Sequence, residues 1–286
     1  MPNSGHFYSA MEHLANALYL SRWKESIWIV LTFYGDASGS EHDGTSTVMA
    51  GFLNSASNWR EFDLQWSEML AKHEVPYLHM KEFAHSSGPF EKWRGRTHER
   101  NAFINDALAI IERTGCVSFA SAIDSVSFNE MAIKRNLTKV YKNAYLFAVQ
   151  DCISCVCHWC MNKQMRDPAE YILEAGDPKQ GLLTEVMKIY NLPEPIFRRK
   201  IDKDPLRSIL PLQAADFLAY EVSRGHAAIL AKKELRYPLK EFMRMHYSEN
   251  WGVHRKDDIE IFLSSSENAR RLEALLGKWD GPVTLD

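Results

Sequence analysis

Two hydrophobic periods alternate along the chain. From Ile27 to Tyr34 the apolar, β-branched and aromatic residues run almost without interruption, which predicts a strand buried on both faces. A polar stretch, Ser38 to Thr47, breaks the pattern, and Val48 to Leu53 resumes it. Two such runs with a short polar connection predict an antiparallel hairpin. The first strand delivers one carboxylate, Asp36, to its carboxyl end, where burial is costly unless something pairs with it.

Helical spacing dominates elsewhere. Asn58 and Glu61 resemble a capping box, and Trp59, Phe62, Trp66, Met69 and Leu70 follow at helical intervals. Tyr77–Phe83 reads as a short extended piece or tight turn, and 85–98 as a polar loop. Further helices are expected over Met11–Trp23, Arg100–Thr114, Leu137–Met165, Gly181–Tyr190, Leu212–Leu230 (with Pro211 at its first position) and Glu267–Leu276. Further strands are expected over Cys116–Ile123, Tyr171–Glu174, Ile196–Ile201 and Ile259–Leu263. Strands interleaved with helices predict an α/β architecture on a mixed sheet. The expected organisation is a helical segment over 1–25, a main domain over 26–231 and a helical C-terminal extension over 232–286.

Composition changes the picture only slightly. Hydrophobic residues make up 45% of the 286, enough for a full core without disulfides. The formal net charge of −3 gives no bulk argument for a nucleic-acid partner, so any basic surface must be local. Met1–Lys24 has no continuous apolar core of the kind a secretory signal needs. The longest apolar run is too short to span a bilayer, so no membrane is expected. Four of the five cysteines crowd into 152–160, a poor disulfide framework that suits a reducing cytoplasm. Cys152, Cys155, Cys157 and Cys160 could in principle hold zinc, but the segment reads as continuous helix, which favours packing of small apolar side chains.

Four acidic positions stand out by their neighbours. Asp36 ends the first strand. Glu174 ends another, with Asp177 three residues on. Asp216 sits on the apolar stripe of its helix, between Leu212 and Tyr220. Glu82 is placed by His79-Met-Lys-Glu82-Phe between two helices. Carboxylates from separate elements that converge would suit a hard divalent cation such as Mg²⁺ or Mn²⁺. Each acid also has a plainer reading. Asp36 could cap a turn, Glu174 and Asp177 could be turn acids, Asp216 could pair with Arg207 or Arg224, and Glu82 could open a solvated helix. Arg198, Arg199 and Lys200 form the sharpest basic cluster and could hold a phosphate backbone, as could the groups around Lys92 and Lys232. His79 and His85 could assist. No P-loop, nucleophile elbow or zincin motif occurs.

Tyr34-Gly-Asp36-Ala-Ser-Gly resembles the Y-x-D-E-S-G opening of the family catalogued as domain of unknown function 3800. Val48-Met-Ala-Gly-Phe looks like its second strand, and Leu78-His79-Met-Lys-Glu82-Phe like its H-x-x-E-like segment. Tyr171-Ile-Leu-Glu174-Ala-Gly-Asp177 sits where that family has an acidic strand end. Leu212-Gln213-Ala-Ala-Asp216-Phe-Leu-Ala is similar to its L-Q-x-A-D motif, the most specific match. The resemblance covers roughly residues 28–230. It implies a ribonuclease H-like mixed sheet flanked by helices, with an acidic site drawn from the first strand, a middle strand and the last helix. Divalent metal and phosphodiester chemistry on DNA or RNA are implied too. Ala37 stands where the family carries Glu, and the middle-strand acid is either Glu174 or Asp177. The expected function is therefore a Mg²⁺-dependent nuclease using Asp36, Glu82, Glu174, Asp177 and Asp216, with metal on Asp36, Glu174 and Asp216. The alternative is a non-catalytic subunit that binds nucleic acid or a partner protein, or another copy of itself, within a mobile-element or anti-phage system. Acids lying far apart, or neutralised by an arginine, would favour that alternative.

Overall fold

The computed structural model describes residues 30–39, 46–134, 144–165, 167–176, 180–189, 192–204, 207–245 and 250–264. Its strands are β1 (Leu31–Ser38), β2 (Ser46–Ser55), β3 (Val117–Asp124), β4 (Glu170–Glu174), β5 (Ile196–Arg198) and β6 (Trp251–His254). They form one mixed sheet in the order β5-β4-β1-β2-β3-β6. β1–β2 and β2–β3 are antiparallel, and β1–β4, β4–β5 and β3–β6 are parallel.

The expected hairpin is present, and it is longer than the hydrophobic pattern suggests. β1 runs on to Ser38, because Asp36, Ala37 and Ser38 continue the backbone ladder opposite Ala50, Met49 and Val48. Asp36 therefore lies within a central strand, not just beyond its tip. Gly35 faces Gly51 across this pair. A Cβ on Gly51 would stand 2.0 Å from the Tyr34 carbonyl oxygen and 2.7 Å from Phe33 Cζ. The ring of Phe33 thus fills the space that two side chains would take.

Helices cover both faces. On one lie α1 (Ala56–Lys72), α2 (Met80–His85), α3 (Thr97–Arg113), α7 (Leu210–Leu230) and α8 (Tyr237–Met245). On the other lie α4 (Ser125–Lys134), α5 (Ala144–Asn162), α6 (Gln180–Ile189) and α9 (Lys256–Ser264). Strand alternation divides the core accordingly. Tyr34 and Ile172 point to the α1/α7 side with Trp59, Phe62 and Trp66. Phe33, Tyr171 and Leu173 point to the α5 side with Phe147 and Val149.

Several local expectations shift for identifiable reasons. The first turn of α1 is capped by Ser55, whose Oγ accepts from Asn58 N at 3.3 Å, so the helix starts ahead of the Asn58–Glu61 pair. Residues 80–85 are helical, not extended. The expected loop 85–98 contains a 3-10 turn, Gly88–Trp93, that buries Phe90 and Trp93. Asp124 does not merely close β3. Its Oδ1 accepts from Val126 N and Ser127 N at 3.1 and 3.3 Å and so starts α4, which the pattern did not reveal. The expected strand 259–263 falls inside α9, where Asp258 Oδ2 accepts from Arg255 N at 3.0 Å. The strand of that region is β6, which pairs with β3, so residues 232–286 contribute to the sheet and are not purely a helical addition. The helices expected over 11–23 and 267–276 lie outside the described residues, as does 137–143 of the expected long helix. Among the described residues one helix, α5, has the length and apolar content to cross a membrane, and 56% of that stretch is buried inside the fold.

Candidate functional site

Alternation places two of the expected residues on one face. Asp36 shares parity with Tyr34, and Glu174 with Ile172, so both carboxylates look toward α7. The β1–β4 register pairs Gly35 with Leu173. Carried one residue further, it sets Asp36 beside Glu174. Asp216 comes down from the opposite side, in the second turn of α7, and is buried with Asp36.

What joins them is a lysine. Lys200 Nζ donates to Asp36 Oδ2 at 2.5 Å and stands 3.0 Å from Asp216 Oδ1. The backbone N–H of Lys200 donates to Glu174 Oε2 at 2.8 Å. Of the remaining oxygens, Asp36 Oδ1 accepts from Ala37 N at 2.8 Å and Asp216 Oδ2 from Met80 N at 2.6 Å. The last contact explains why 80–85 winds into a helix: the buried carboxylate satisfies an N-terminal N–H that no intrahelical carbonyl can reach. Neither Arg207 nor Arg224 takes the role considered for it. Arg207 pairs with Asp204, and Arg224 stacks over Tyr220.

Lys200 was expected to face nucleic acid with Arg198 and Arg199. Those two arginines are exposed, whereas the Lys200 side chain is turned inward and only 13% exposed. β5 ends at Arg198, so no strand period reaches Lys200; its backbone is instead held by Glu174 and Gln213.

Gln213, one turn before Asp216 and fully buried, was missed as a site residue. Its Nε2 donates to the Lys200 carbonyl at 3.1 Å. Its Oε1 accepts from Leu78 N at 2.9 Å and from Trp66 Nε1 at 3.1 Å. It thereby ties the segment bearing Lys200 to the segment that enters α2. The Leu-Gln-Ala-Ala-Asp spacing puts Gln213 and Asp216 on the same helical face.

Glu82 stands apart from this group. Its Oε1 lies 3.7 Å from His79 Nδ1, and its carboxylate reaches the Tyr77 hydroxyl. Asp177 lies outside the described residues. The four clustered cysteines lie along the single helix α5, with Cys152 and Cys160 buried. His85 ends α2.

The electrostatics follow from burial. Desolvation pushes Asp36 up to about 6, against the lowering pull of Lys200, and Asp216 adds to the rise. Desolvation likewise pushes Glu174 up to about 7, with Asp36 adding to it. Lys200 is held charged: desolvation opposes this, but Asp36 and Asp216 outweigh it. Three carboxylates less one ammonium leave two formal negative charges in a buried cluster. Among the described residues, no three acidic, histidine or cysteine side chains stand close enough to share an ion as arranged. The ammonium holds the position between Asp36 and Asp216. The donor chemistry nevertheless fits a divalent cation: the side-chain donors are all carboxylate oxygens, and a cation, the Lys200 ammonium, is already accepted between two of them. Searches against protein-family models, curated proteins and solved structures return no match to this chain.

Proposed function

We propose that the chain is a divalent-cation-dependent nuclease of ribonuclease H-like fold that hydrolyses phosphodiester bonds of DNA or RNA in the cytoplasm. One observation carries this reading: acids from β1 and α7, far apart in sequence, meet at the Lys200 ammonium, and Glu174 of β4 accepts from the backbone N–H of that same lysine. The sheet flanked by helices, and the origin of the acids in a first strand, a middle strand and a late helix, support the family resemblance. Asp36 and Asp216 would hold Mg²⁺ or Mn²⁺, with Glu174 completing the set. The bound ion would supply activation of water and stabilisation of the leaving oxygen. Arg198 and Arg199, exposed at the sheet edge beside Glu174, would attract the phosphate backbone. Gln213 and the Met80 N–H fix where the carboxylate of Asp216 stands.

The test is cleavage of single- and double-stranded DNA and RNA with and without Mg²⁺ or Mn²⁺. Asp36→Ala and Asp216→Ala should each abolish cutting while circular dichroism stays that of the parent. Full activity in either variant defeats the assignment. A second reading, a binding subunit without catalysis, draws on Lys200 already neutralising part of the cluster. Calorimetric titration with Mn²⁺ separates the two, since a binding module takes up no ion at these acids.

A further inference from the structure

Resting on the cation-dependent reading, we propose that Lys200 is the affinity-setting residue of the site: its ammonium and the divalent cation compete for the same two carboxylates. Lys200 is held from both ends of its own backbone. Glu174 binds its N–H and Gln213 its carbonyl, so the residue is anchored by two of the elements that carry the site. Its side chain then has one short route, inward, and ends on Asp36 Oδ2 and Asp216 Oδ1. These are the two oxygens left after Ala37 N and Met80 N have taken the others. A cation binding Asp36 and Asp216 through these same oxygens must therefore move the ammonium, and the backbone can stay, because neither Gln213 nor Oε2 of Glu174 is among those oxygens. The displaced ammonium stays within one side-chain length of the bound ion. That is where an anionic phosphodiester oxygen would need a second positive partner.

A side chain that competes weakens the affinity for the ion it competes with, and the coupling is reciprocal. Lys200→Met, which keeps the length and removes the charge, should bind Mn²⁺ on the order of tenfold more tightly in calorimetry, the gain expected when a state that leaves the carboxylates open about a tenth of the time becomes the dominant one. Its thermal midpoint should also rise further with Mn²⁺ than that of the parent. Lys200→Arg, which keeps the charge, should bind Mn²⁺ no more tightly than the parent. A measurement on the unaltered protein covers the case in which the methionine variant does not fold. Acetylation of Lys200 by an N-hydroxysuccinimide ester, followed by mass spectrometry, should be slow without Mn²⁺ and several-fold faster with it, because displacement exposes the amine. Equal Mn²⁺ affinity in Lys200→Met and the parent, or acetylation of Lys200 unchanged by Mn²⁺, overturns the competition while leaving the cation reading intact. No Mn²⁺ uptake by either protein overturns both.

Discussion

Gln213→Met is the substitution that asks most of the framework behind the acids. The side chain is fully buried and its amide makes three hydrogen bonds, to Leu78 N, Trp66 Nε1 and the Lys200 carbonyl. Methionine has nearly the same length and volume, so little of the cost would come from a cavity. What it removes is the partner of two donors on residues that are themselves fully buried, Leu78 and Trp66, and of one acceptor on the half-buried Lys200. A buried polar group left unpaired costs about 1–3 kcal/mol. Two such donors, with a smaller share for the carbonyl, put the loss at about 4 kcal/mol, a large part of the 5–15 kcal/mol that holds a typical fold. Urea denaturation at pH 7, followed by fluorescence and circular dichroism, measures it through the midpoint at constant slope. A loss below about 1 kcal/mol would show that these groups find other partners and that Gln213 is not the strut described above.

Other expectations can be checked in the same way. Asp63, buried in α1 and pushed up to about 8 by desolvation, is protonated in the folded chain but ionised in the unfolded chain from about pH 4 upward. The unfolded state therefore binds fewer protons between these values, and stability falls as pH rises through that window. Asp63→Asn removes this slope, so between pH 5 and 7 the parent should lose about 2–3 kcal/mol more than the variant in denaturation at both pH values. Equal losses would mean that Asp63 ionises normally. Gly51→Ala places a Cβ 2.0 Å from a backbone oxygen of the neighbouring central strand. The two strands must separate, and the Phe33 ring must shift as well, so the variant should lose several kcal/mol, on the order of the overpacking and strain costs in a tight core, or fail to accumulate as folded protein. A thermal midpoint equal to the parent's would contradict the close approach.

Much of this layout was readable along the chain because it rests on local periods. The β1–β2 hairpin follows from two apolar runs around a polar break. Asp216 follows from a charge on the apolar stripe of a helix. Glu174 follows from a strand ending in an acid. What escaped depends on contacts between distant residues. α2 forms where Asp216 meets a helix-starting N–H from 136 positions away. The inward turn of Lys200 is hidden by two arginines before it, since three adjacent cations read as one surface patch, and what turns the third inward is its backbone bonds to the distant Glu174 and Gln213. β6 was displaced onto its neighbouring helix because Ile259–Leu263 is more apolar than Trp251–His254, yet only the latter has β3 beside it to complete its ladder.

The pairing of β6 with β3 has a consequence for biosynthesis. β3 is finished by residue 124, but among the described residues its outer edge is covered by residues 251–254, over a hundred positions later. While a ribosome extends the chain between those points, a ladder of unpaired amides and carbonyls stays open to other nascent chains. A fragment ending near residue 231 would keep that edge bare for good. Its solubility would be the first property to suffer.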